Sequence, residues 1–129
     1  MLVFISYWTT GKDNDSVVQK TKAVSISEIT GVSEIFTLKN PANKFRFCIQ
    51  LKNEEPLFSR YFDSKTEAEM NQVSVSTIIN AIELYFERFK HVPEHHATPV
   101  MFQVVDPDSK KLVPGKISMF DTPIYTIQL

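Results

Sequence analysis

The chain has 129 residues, 43% of them hydrophobic and 22% charged, with a formal net charge of −1. That supplies one domain with a core of its own and excludes a disordered chain. A near-neutral balance gives no global pull toward nucleic acid or an anionic membrane, and with three glycines there is no glycine-rich phosphate loop of the GxGxxG or Walker kind.

LVFISYW is apolar, β-branched and aromatic, which predicts a strand over about residues 2 to 9. The opening lacks a basic leader and a small-residue cleavage site, so a strand is expected rather than a signal peptide. The polar, aperiodic TGKDNDSVVQKT predicts a loop, long enough to be mobile or functional. AVSISEI then alternates, Gly31 breaks the run, and SEIFTLK resumes it. KFRFCIQLK carries the clearest strand pattern. Phe45, Phe47, Ile49 and Leu51 share one face, and Lys44, Arg46, Cys48, Gln50 and Lys52 share the other. NPAN before it and NEEP after it carry turn chemistry, and LFSRYF returns as a strand. Residues from about 33 to 62 therefore predict a three-stranded antiparallel meander with one face in the core and one in water.

The spacing predicts one long helix from Ser64 to Lys90. Ser64 with Glu67 forms a capping box. Glu69, Gln72, Ser76, Asn80, Glu83, Glu87 and Lys90 then recur as an unbroken polar stripe, while Ala68, Val75, Ile78, Ile79, Ile82, Phe86 and Phe89 fill the opposite face. Such a helix would be roughly 39 Å long at 1.5 Å per residue, more than a small sheet covers. Val73, Ala81, Leu84 and Tyr85 widen the apolar arc, so these four are expected at an interface with a partner protein or a second copy. After Pro99, VMFQVV predicts a strand, DPDSKK a turn, and LVPGKISMF an edge or bent strand because of Pro114 and Gly115. IYTIQL alternates to the last residue and predicts a strand tied into the sheet.

Four groups of residues are candidates for chemistry. All three histidines, His91, His95 and His96, fall in HVPEHH with Glu94. His91 suits a helix C-terminus and lies four residues after Glu87, whereas Pro93 prevents His91 and His95 from sharing the helical i,i+4 spacing of zinc motifs. A polar loop is the expectation, and no metal or other cofactor. Cys48 is the only cysteine, which excludes a disulfide framework and points to a reducing compartment. On the polar strand face beside Arg46 it has no local base, so it is expected to be inert. Asp106 and Asp108 have a spacing that suits a hard cation, yet fit the backbone bonding of a turn better. Lys44, Arg46, Lys52 and Arg60 define a possible nucleic-acid face, with Tyr7, Trp8 or Tyr61 as stacking partners.

These readings converge on a single α+β domain spanning residues 1 to 129, an antiparallel sheet with one long amphipathic helix packed across it. No apolar run approaches the roughly 20 residues a bilayer crossing needs, so the expected location is the cytoplasm. The expected role is a non-enzymatic module that binds another macromolecule, a protein or a second copy. A single-stranded nucleic-acid binder is the alternative, and a metal-dependent enzyme using the histidine loop the third reading.

Overall fold

The computed structural model describes residues 2–10, 17–39, 42–91, 100–106, 108–117 and 126–129. The fold is α+β, with ten strands and one long helix among the described residues. β1 (Leu2–Thr10) pairs antiparallel with β2 (Val17–Ser25) along its whole length, and parallel with β10 (Thr126–Gln128) on its other edge. That central position suits its composition: Val3 and Ile5 are fully buried. The Leu129 amide extends the β10 pairing by donating to the Ser6 carbonyl at 3.0 Å, and the Trp8 indole N–H donates to the Leu129 carbonyl at 3.0 Å.

The expected polar loop is shorter than the sequence predicts. β2 begins at Val17, inside it, because pairing with the long β1 recruits residues whose own pattern is not strand-like. AVSISEI is likewise not one strand. A single 3-10 turn, Ile26–Glu28, buries Ile26 and redirects the chain into β3 (Ile29–Val32) of a second sheet.

The predicted KFRFCIQLK strand is divided at Phe47. β4 (Phe36–Lys39) pairs with β5 (Ala42–Arg46), whereas β6 (Cys48–Leu51) pairs with β3 on one edge and β7 (Leu57–Phe58) on the other. A change of partner in mid-strand orphans backbone donors, and two buried serines satisfy them. The Phe47 amide donates to Ser59 Oγ at 3.0 Å, and the Cys48 amide to Ser33 Oγ at 2.9 Å. Each hydroxyl then donates onward, Ser59 to the Arg60 carbonyl and Ser33 to the Glu34 carbonyl. Phe45 bridges Phe62 through reciprocal backbone bonds, and the Phe47 and Phe62 rings stack with centroids 6.0 Å apart.

The helix α1 (Lys65–His91) runs as the periodicity predicts. Ser64 caps it, its hydroxyl accepting from the Glu67 amide at 3.1 Å. The Glu67 carboxylate forms an ion pair with Lys110 at 3.1 Å and so fastens the hairpin of β8 (Val100–Val105) and β9 (Leu112–Ile117) to the first turn of the helix. Ser74 Oγ accepts from the Val105 amide at 2.9 Å, docking β8 along the helix, and Gln72 donates to the Ser33 carbonyl at 2.7 Å on the sheet side. Gly115 has a packing reason: a Cβ there would come within 2.3 Å of the Phe102 ring.

One core cluster joins Val3, Ile5, Phe47 and Ile49 from the sheets with Val75, Ile79 and Ile82 from α1 and Val104 from β8. Ile79→Ala is expected to cost about 2–5 kcal/mol, the usual range for emptying a core site. Ser59→Ala is expected to cost about 1–3 kcal/mol, because the buried Phe47 donor loses its acceptor. Chemical denaturation of the two variants checks both values, and a loss below about 0.5 kcal/mol for Ile79→Ala would place that side chain outside the core.

Candidate binding surfaces

The four basic residues of the predicted nucleic-acid face differ in exposure and in partners. Lys44 forms an ion pair with Asp63 and Lys52 is exposed at the end of β6. Arg60 is half-buried on the helix side, its guanidinium 4.7 Å from the centroid of the Phe62 ring, donating to Asn71 Oδ1 at 3.3 Å and to the Leu129 carbonyl at 3.4 Å. Arg46, predicted to face water, is only 9% exposed. The division at Phe47 is the physical reason for that correction. It brings β7 alongside β6, so that Phe58 and Tyr61 pack on the Arg46 guanidinium with ring centroids at 4.4 and 4.8 Å. Cys48, expected on the same polar face, pairs across the ladder with Phe58 and is buried for the same reason. Burial lowers the pKa of Arg46 and of Arg60, yet guanidinium groups keep their charge at neutral pH.

An open groove of about 670 Å³ lies beside Arg46. On the face of β1 that buries Val3 and Ile5, Tyr7 packs partly buried against the edge of the core, and Tyr7, Trp8 and Thr9 form one side of the groove. The opposite side is the 53–58 turn, with Glu54, Glu55, Pro56, Leu57 and Phe58. Lys22, opposite Ile5 on β2, reaches Glu54 at 2.5 Å. The sequence singled out Tyr7 and Trp8 as stacking residues but gave no sign of this turn, because the groove forms only when β7 folds back beside β1.

The expected helix interface divides into two pairs. Val73 and Leu84 are 62% and 47% exposed. Ala81 and Tyr85 are instead buried in the core cluster together with Val104, a correction to their predicted place at an interface with a partner. α1 makes its most extensive contacts with β8, and this hairpin covers the flank that a single sheet would have left open. Met70, 42% exposed, was missed in the sequence although its helical position was already legible. At 100° per residue, Met70, Val73, Thr77 and Leu84 fall within an arc of about 60°, over a length of about 21 Å. The Thr77 hydroxyl is bonded back to the Val73 carbonyl at 2.8 Å, which leaves the stripe largely apolar.

Asp106 organises the β8–β9 turn. Its carboxylate accepts from the Ser109 hydroxyl at 2.9 Å and the Asp108 amide at 3.3 Å, and its carbonyl accepts from Lys110, which takes a left-handed φ of 58°. His91 ends α1, whereas His95 and His96 lie outside the described residues. Among the described residues no three of His, Cys, Asp and Glu converge as metal ligands, and no helix is long and apolar enough to cross a membrane.

No protein-family model matches the chain, and neither a search of curated proteins nor one of solved structures returns a match.

The Ser109 hydroxyl, and after it the Asp108 amide, hold the Asp106 carboxyl below the usual carboxylate range. A depressed folded pKa means that the stabilisation is present above the unfolded value, near ~4, and is lost as pH falls through the folded one. Protection of the Ser109 and Lys110 amides, taken relative to their intrinsic exchange rates at each pH, is therefore expected to fall below about pH 4 in the wild type. Asp106→Asn, which keeps an acceptor but cannot titrate, should remove that pH dependence.

Proposed function

We propose that the protein is a non-enzymatic interaction module whose recognition element is the Met70–Val73–Thr77–Leu84 stripe of α1, and that its partner is a second copy of the chain. The observation that carries this reading is the exposure of three large apolar side chains, Met70, Val73 and Leu84, in register on the one long helix. Water penalises such surface by about 25 cal/mol per Å² left uncovered. A two-fold axis covers the stripe with the same stripe of another molecule, and antiparallel helices would set Leu84 of one copy near Val73 of the other. The stripe is narrow because the chain's own hairpin already covers the flank with Ala81 and Tyr85, so the contact is confined to one helical ridge.

Two observations support a role without chemistry. The shifted acids Asp63 and Asp106 are engaged by Lys44 and by a turn. Two of the four basic side chains, Arg46 and Arg60, are drawn into the structure, which weakens the nucleic-acid alternative. The lone, buried Cys48 supports the cytoplasm as the compartment.

Sedimentation at micromolar concentration tests the proposal. The expected species has twice the 14.8 kDa of the chain. Leu84→Glu should shift it to the monomer with an unchanged circular-dichroism spectrum, since the side chain is exposed in the single chain. A wild type that sediments as one 14.8 kDa species across the micromolar range would overturn it.

A further inference from the structure

Arg46 carries a buried charge without a counter-charge. Its Nη2 donates to the Ser59 carbonyl at 2.9 Å and to the Trp8 carbonyl at 3.4 Å, while its Nε is buried with no acceptor. Two neutral carbonyls, two aromatic rings and the nearby Cys48 thiol surround it, and no carboxylate of the described residues is paired with it. The acid that shares the groove, Glu54, is held by Lys22, and Glu55 is exposed. Buried charges in proteins are as a rule paired, because an isolated one forfeits its hydration without recovering it. A buried guanidinium that lines a groove and lacks an internal anion is arranged to receive one from outside.

We infer that the groove between the end of β1 and the 53–58 turn binds a small organic carboxylate with an apolar or aromatic body, and that Arg46 takes the charge. With Nη2 engaged by the two carbonyls and Nε buried, Nη1 is the donor left to give a carboxylate a charge-assisted hydrogen bond, and the rings of Phe58 and Tyr61 fix the guanidinium plane from which it does so. The groove, about 670 Å³, falls in the range of about 300–1,000 Å³ typical of small-molecule sites. Tyr7, Trp8, Pro56, Leu57 and Phe58 give it apolar walls for the ligand's body. The charges of the lining favour a monoanion. Glu54 is held by Lys22, which leaves Arg46 to meet one negative charge, while the second charge of a phosphate dianion has no further cation and faces Glu54 and Glu55. The groove is separate from the α1 stripe, and this assignment holds whether the protein is a monomer or a dimer.

Trp8 is the only tryptophan of the chain and lines the groove, so its emission reports on the site. Wild-type protein is titrated with phenylacetate, with the neutral 2-phenylethanol and with phenyl phosphate, each to about 10 mM, which saturates a site of about millimolar affinity. Phenylacetate should change the emission saturably and raise the unfolding temperature, and the other two probes should bind at least about tenfold more weakly. Arg46→Met, which keeps an apolar stem and removes the charge, should abolish the phenylacetate response. The three-probe comparison on wild-type protein decides the matter if that variant fails to fold. Absence of a saturable phenylacetate response overturns the assignment, as does equal binding of 2-phenylethanol, tighter binding of phenyl phosphate, or an undiminished response in folded Arg46→Met.

Discussion

Two serine hydroxyls allow the middle of this chain to change partners. Where β5 ends and β6 begins, the ladder breaks at Phe47 and Cys48, and both amides point into a dry interior. Leaving such donors unpaired costs about 1–3 kcal/mol each. Ser59 and Ser33 accept one amide apiece and pass their own protons to neighbouring carbonyls, so the break is fully bonded. With the break satisfied, β5 stays with β4 while β6 joins β3 and β7. Phe47 enters the core, and Arg46 is enclosed beside Phe58 and Tyr61.

The helix depends on the same region. Gln72 donates to the carbonyl of Ser33, one of the two bridging serines, and so places α1 against the second sheet near the break. On its other flank Ser74 accepts from β8, and Glu67 holds Lys110 of the adjoining turn. Polar side chains at buried and half-buried positions thus set the rotation of the helix, and the apolar residues between them fill the core. Between the flank covered by sheet and the flank covered by hairpin, one ridge with Met70, Val73 and Leu84 remains open.

Charge is used locally throughout. Lys44 forms an ion pair with Asp63 immediately before the helix cap, Lys22 meets Glu54 at the groove, and Asp106 closes its own turn. These exposed pairs contribute little stability each, typically about 0–1 kcal/mol, but they fix where segments lie. Arg46 and Arg60 are the exceptions, cations drawn into the structure and met by carbonyls, an amide and rings in place of a bonded carboxylate, and Arg46 is the more buried of the two. The two surfaces put forward as functional differ accordingly, one an apolar ridge suited to a protein and the other a groove centred on a single positive charge.

Local pattern was sufficient for whatever depends on near neighbours in the chain. The run from Ser64 to Lys90 determined α1, because its repeat and its cap are properties of one segment. The same holds for the DPDSKK turn and for the core side of KFRFCIQLK, where Phe47, Ile49 and Leu51 are buried as the alternation requires. Pairing between distant segments was not legible. The division at Phe47 needs Ser33 and Ser59, which lie 14 and 12 residues away in sequence. The extent of β2 was decided by β1, and the parallel contact of β10 with β1 joins segments at opposite ends of the sequence. Ala81 and Tyr85 were covered by a hairpin that follows the helix, and Arg46 by rings that follow its strand. Alternation and helical period state which residues share a face. Which faces are covered depends on what the rest of the chain packs against them, and that only the tertiary structure decided.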